Sequence, residues 1–234
     1  MSSRTALSKC PMCSSYLRNV VCPRKYCLPS TVNEKHPELR TINCHTLADV
    51  LQGKHSGSIK SFRYDDTYCS LSSSLKSDVR IVDVRYNFEF EGGHIDGAEN
   101  WQHGEDEDFL KAFIPETALP AAPEYEPDNE EKRDILIFHC EFSSQRAPDF
   151  YKKLREKDRM VNMEVFPALY YPECYLLHLG YKEFFINYPQ MCTGGYTEMI
   201  DDRYKTDLKR MRAKSKSWAG GTVSRISSLS RKFK

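Results

Sequence analysis

The chain has 234 residues, 40% hydrophobic and 12% aromatic, with 34 Lys and Arg against 33 Asp and Glu. That length and composition support one substantial core with tails and exclude a wholly disordered chain. No apolar run approaches the ~18 residues of a membrane-spanning helix, and the N-terminal MSSRTALSKC lacks the apolar centre of a secretory signal.

The net charge of +1 hides two unlike parts. Residues 203–234 carry eleven Lys and Arg against one Asp, net +10, whereas the remainder, with 23 basic and 32 acidic side chains, is −9. A mildly acidic body therefore carries a basic C-terminal extension. Nine cysteines, scattered without a framework spacing, suit reduced thiols in cytosol or nucleus better than a disulfide scaffold.

In chain order, residues 1–27 show no apolar periodicity and read as a tail. Cys10, Cys13, Cys22 and Cys27 have a spacing that four thiolates could use to close a zinc site. The wide second pair and short intervening loop favour a reduced tail, so no metal is expected. Residues 44–52 predict a short helix ended by Gly53, and the polar stretch 54–78 a surface loop. Arg80–Arg85 (RIVDVR) reads as a strand, followed by a turn at Gly92-Gly93. Residues 102–133, acidic and carrying Pro115, Pro120, Pro123 and Pro127, read as a connection with one short helix near Phe109–Phe113.

Ile135–Phe138 is a continuous apolar run after charged residues, the signature of a strand buried on both faces. Ala147, Phe150, Tyr151 and Leu154 then recur at i, i+3, i+4, i+7 in an amphipathic helix from Ala147 to Asp158. Tyr175–Leu177 and Tyr181–Phe185 supply a further strand and helix. The alternation argues for an α/β fold with a parallel sheet.

Between that buried strand and the amphipathic helix lies Cys140, followed by Glu141, Phe142, Ser143, Ser144, Gln145 and Arg146 in the pattern C-x5-R. In open α/β sheets, sites form at the carboxyl ends of strands. The backbone N–H groups from Glu141 to Arg146 can wrap around one point at a helix N-terminus and hold an anion. The same field favours a nucleophilic thiolate at Cys140, and Arg146 can offer two phosphate oxygens a guanidinium fork. The chemistry that fits is thiolate attack on a phosphate ester through a phosphocysteine, with no cofactor. Leaving-group protonation needs a carboxylic acid; the candidates are Glu141 and the cluster Glu105, Asp106, Glu107 and Asp108.

The stretch HCEFSSQRAP resembles the active-site loop of the M-phase inducer phosphatases, dual-specificity enzymes that activate cyclin-dependent kinases. IVDVRYNFEFEGGHIDGAEN (81–100), LYYPECYLLHLGYKEFF (169–185) and KSKSWAG (214–220) extend the resemblance over most of residues 28–220. It implies a rhodanese-like fold, a central parallel sheet flanked by helices, over residues 28–202, and a monomer in nucleus and cytoplasm. The implied protein substrate is a cyclin-dependent kinase–cyclin complex phosphorylated on tyrosine and threonine, with neither nucleic acid nor membrane as partner.

In this resemblance Asp83, Arg85, Glu89 and His94 hold the second strand and its turn, and Arg155 and Arg159 match kinase-docking arginines. The sequence departs from the family pattern at Gln145 (usually Glu), Ala147 (Gly), Asp149 (commonly Arg), Glu164 (an aromatic) and Val84. At position 84 the family usually has a cysteine that protects the catalytic thiol, so Cys140 is expected to oxidise irreversibly more readily.

The basic run Lys209–Lys216 suits nuclear import or substrate docking, and Ser215 and Ser228 follow Arg at minus three. Two other readings stay open on the same residues. One is an arsenate reductase or sulfurtransferase; sulfurtransferase loops are typically one residue shorter. The other is a weakly active module that binds a phosphorylated kinase.

Overall fold

Four consecutive apolar residues between polar flanks can be buried on both sides only in the middle of a sheet covered by helices, and Ile135–Phe138 sits there. The computed structural model describes residues 8–9, 16–17, 26–54, 79–102, 105–116, 135–166 and 169–212. The strands are β1 (Ser8–Lys9), β2 (Tyr16–Leu17), β3 (Thr41–Ile42), β4 (Val79–Asp83), β5 (Gly93–Ile95), β6 (Ala98–Asn100), β7 (Ile135–His139), β8 (Glu173–Leu177) and β9 (Cys192–Gly194). The helices are α1 (Cys44–Leu51), α2 (Asn87–Glu91), α3 (Asp106–Phe113), α4 (Arg146–Val161) and α5 (Gly180–Asn187), with a last helix over 205–212.

Five strands form a parallel sheet in the order β3-β8-β7-β4-β6. Side chains alternate between its faces, as the twofold period of a strand requires. Ile81, Ile135, Ile137, Tyr175 and Leu177 pack on one face with Leu47 of α1 and Phe184 of α5. Val82, Leu136, Phe138, Cys174 and Leu176 pack on the other with Phe109 of α3 and Phe150 and Leu154 of α4. All five residues of β7 are buried. At roughly 1.5–3 kcal/mol for each large apolar side chain buried, this double-sided strand anchors the molecule.

The predicted strands and helices all occur, with small shifts at their ends. Helix α1 begins where Asn43 caps it, its side chain accepting the Thr46 N–H at 2.8 Å, and ends before Gly53 at φ 72°. Helix α4 runs beyond Asp158 because the buried Asp158 carboxylate is itself a fastener. It accepts from the Asn162 side chain and from the backbone N–H groups of Tyr170 and Tyr171 at 2.8–3.0 Å.

Helix α2 and strand β5 lie around the expected turn at Gly92-Gly93, and β5 pairs antiparallel with β9, where the sequence predicted no element, since five-residue and three-residue elements carry too little periodicity to read. Packing also continues past position 202: Leu208 is buried against Tyr86 and Phe88. Most of the 54–78 and 102–133 stretches, Cys10, Cys13 and Cys22, Ser215 and Ser228, and the KSKSWAG stretch lie outside the described residues. No helix among the described residues is long and apolar enough to cross a membrane.

Candidate active site

Strand β7 delivers Cys140 to its carboxyl end, where the residue is 3% exposed. The following loop is turned by Ser143, whose φ of 50° lies in the left-handed region and costs a non-glycine residue on the order of 1 kcal/mol. Helix α4 then starts at Arg146, with Gln145 as its N-cap residue.

The loop's carbonyls are held from outside. At the start of α5, the Tyr181 N–H donates to the Cys140 carbonyl at 2.9 Å and the Lys182 N–H to the Glu141 carbonyl at 3.1 Å. Gly180, at φ 66°, permits this approach: a Cβ there would lie 2.4 Å from the Cys140 carbonyl oxygen. From the segment before β3, His36 Nε2 lies 3.0 Å from the Ser144 carbonyl oxygen; a carbonyl only accepts, so the nitrogen carries the proton.

In a trans peptide the C=O and the next N–H point in opposite directions. Anchoring these three carbonyls therefore turns the N–H groups of Glu141, Phe142 and Gln145 away from their anchors. Among the described residues, no backbone N–H from Glu141 to Gln145 donates to another protein group. Unpaired N–H groups in a loop that buries Glu141 and Ser143 are donors left available to an anion.

Arg146 closes the loop, but its fork is engaged by protein. Glu89, fully buried, takes it with both carboxylate oxygens at 2.5 and 3.0 Å, while Glu141 Oε2 stands 3.9 Å away. Burial disfavours the guanidinium charge, yet the Glu89 bonds outweigh it and raise the Arg146 pKa above its ordinary value. Glu89 thus reaches further than its expected part in the turn. It joins α2 to the loop, and its carboxylate also accepts the Tyr86 N–H at 3.0 Å. Glu141 is nearly buried and accepts a hydrogen bond from the Tyr196 hydroxyl at 2.6 Å.

Behind the loop lies a fully buried set of charges. Arg85 donates to both oxygens of Asp83 and to the carbonyls of Glu89 and Gly93. Its guanidinium lies 3.9 Å from the centre of the Tyr181 ring. His139 Nε2 is 3.7 Å from Asp83. Burial, reinforced by Arg85 and Arg146 and opposed by Asp83, pushes the His139 pKa down to about 4. Burial pushes the Asp83 carboxyl up, but His139 and Arg85 together bring it below its usual value. With His139 neutral at pH 7, Arg85 supplies the standing charge.

Residues 70–187 match the rhodanese-like domain family. The chain belongs to that family. It is 39% identical over 198 residues to the M-phase inducer phosphatase of Drosophila melanogaster, covering 84% of this chain and 37% of the relative. It is 40% identical to M-phase inducer phosphatase 1 of Mus musculus, covering 82% and 32%, and 39% identical to human M-phase inducer phosphatase 2, covering 82% and 29%. The chain thus spans about a third of the length of these relatives.

Within this rhodanese-like domain, the residues from Cys140 to Arg146 form one loop, as the spacing required. The acidic cluster does not join it in the same way. Asp106 begins α3 and pairs with Lys153 of α4 at 3.0 Å. Of the two arginines expected to dock a kinase, Arg155 is turned inward: its side chain is 14% exposed and pairs with buried Asp158 at 3.3 Å. Arg155 and Arg159 are both partly buried.

Val84 is fully buried in the same cluster as Cys140 and Cys174, one step beyond the pair Asp83 and His139. Cys174 stands opposite Leu136 in the sheet, four residues before Cys140 and roughly 13 Å away along the strands, beyond disulfide reach; burial pushes its thiol to about 12, and it donates to the Tyr171 carbonyl. His36, Tyr196 and the α5 N–H groups were not legible as site residues. They come from distant segments, and no local pattern marks them.

Proposed function

We propose that this chain is a cysteine-dependent dual-specificity phosphatase, acting on phosphotyrosine and phosphothreonine of a cyclin-dependent kinase–cyclin complex in nucleus and cytoplasm and so promoting cell-cycle progression. The observation that carries this is Cys140 at the end of the central strand, within a loop whose carbonyls are anchored outward and whose N–H groups are unpaired. Similarity to M-phase inducer phosphatases over most of the chain supports the same reading.

The Cys140 thiolate attacks phosphorus; the P–S bond forms as the bond to the leaving oxygen breaks. That oxygen takes a proton from a carboxylic acid, the role assigned to Glu141 between Tyr196 and Arg146. Water then attacks phosphorus and gives a proton to the same carboxylate. The P–S bond breaks, releasing inorganic phosphate and restoring the thiolate. The N–H groups of the loop, with the guanidinium N–H groups of Arg146 that do not bond Glu89, stabilise the charge on the equatorial oxygens throughout.

A single-turnover assay on a doubly phosphorylated cyclin-dependent kinase tests this, with Cys140→Ser as control. Wild-type protein should release phosphate and the variant none. Trapping of the kinase by the variant without wild-type turnover would instead indicate a binding module. Arsenate reduction or sulfur transfer without phosphate release would indicate the other chemistry this scaffold supports.

A further inference from the structure

We propose that His36 is a positioning residue of the phosphate-binding loop, setting the direction of one of its anion-binding N–H groups. This rests on the phosphatase reading and assigns a part of its phosphate site.

The loop hangs from two supports. Its first two carbonyls, those of Cys140 and Glu141, are bonded by backbone N–H groups at the start of α5. The carbonyl of Ser144, near its far end, is bonded by the imidazole of His36, 108 residues away in sequence. Between them Ser143 takes φ 50°, so the first support cannot dictate the orientation of the Ser144–Gln145 peptide. Because that peptide is trans, holding its oxygen toward His36 turns the Gln145 N–H the opposite way, toward the concave side. Helix α4 cannot hold this carbonyl in place of His36, since the residue four positions on is Pro148, which has no N–H; among the described residues, His36 is the group that bonds it.

His36 is itself held for this task. The buried Asn33 side chain accepts the N–H groups of Lys35 and His36, both at 3.1 Å, forming a local turn that fixes the His36 backbone. Asn33 is bonded in turn to Thr41 of β3, and the Thr31 N–H donates to the Thr41 carbonyl at 2.7 Å. The His36 Nδ1 faces Glu38 at 3.8 Å, and Glu38 bonds Lys152 of α4 at 2.8 Å. The imidazole therefore bridges the sheet edge, the loop and the helix that the loop begins.

The test compares His36→Ala with His36→Gln, whose side-chain amide can place an N–H near the position of Nε2. Readouts are KM and kcat for an aryl phosphate, inhibition by inorganic phosphate, and thermal midpoint. His36→Ala should weaken phosphate inhibition and raise KM by roughly tenfold, the worth of one charge-assisted hydrogen bond, with His36→Gln recovering most of both. Wild-type phosphate affinity in His36→Ala would overturn the proposal. So would equal losses in both variants that track a common fall in thermal midpoint, since that pattern marks a merely structural histidine. Wild-type protein that neither hydrolyses aryl phosphate nor is inhibited by phosphate would instead overturn the phosphatase reading on which this one rests.

Discussion

His139 immediately precedes Cys140 yet takes no hydrogen bond through either ring nitrogen. It is a neutral ring wedged against Asp83, with Arg85 and Arg146 disfavouring its charge. Its folded pKa of about 4 lies below the ordinary 6.5, so between these values the unfolded chain binds the proton and the native state does not. Stability must then fall as pH drops from 6.5 toward 4, by up to about 3 kcal/mol from this residue. The depressed Asp83 carboxyl adds stability that is lost only at lower pH, below its ordinary 3.8. Urea unfolding of wild type and His139→Phe at pH 7 and pH 4.5 checks this: the variant should lose clearly less stability over that interval. Equal losses would show that His139 charges without penalty.

At the scale of elements, the loop is an object shared between β7, α4 and α5. Helix α5 reaches it because Leu179 and Gly180 both adopt positive φ, 57° and 66°, bringing the helix start onto the Cys140 and Glu141 carbonyls. Backbone stands in the way of any side chain at 180. Gly180→Ala should therefore cost roughly 2–3 kcal/mol and lower aryl phosphate turnover more than a thermally matched core substitution such as Leu47→Ala. A variant destabilised to the same degree but fully active below its melting temperature would show that α5 does not shape the loop. The same geometry explains why α5 was legible as a helix, from its aromatic run, while its function was not. Its contribution is made by backbone N–H groups, which every residue but proline possesses.

For the molecule as a whole, the acidic body and the basic C-terminal segment remain the strongest asymmetry. Helix 205–212 returns to the body through Leu208, and Tyr204 stacks on Phe88 at 4.7 Å between ring centroids, so the basic segment starts from a fixed point beside α2. Deleting residues 213–234 should leave aryl phosphate hydrolysis unchanged and reduce kcat/KM on the kinase complex by roughly tenfold at low salt, with the difference narrowing as salt screens the charges. Equal rates on the kinase at low ionic strength would remove this segment from docking.

The buried run of β7, the amphipathic period of α4 and the C-x5-R spacing are local properties, and they determined the α/β class and the strand–loop–helix unit that carries Cys140 from sequence alone. The tertiary structure decided what the loop's neighbours do. It placed Glu89 on Arg146, Tyr196 on Glu141 and His36 on Ser144, and it turned Arg155 inward to Asp158. Those outcomes depend on segments separated by tens of residues meeting at one strand end, through backbone groups and single polar side chains that leave no periodic trace. A strand buried on both faces must announce itself in composition; a histidine that orients one peptide bond needs only to arrive at the right place.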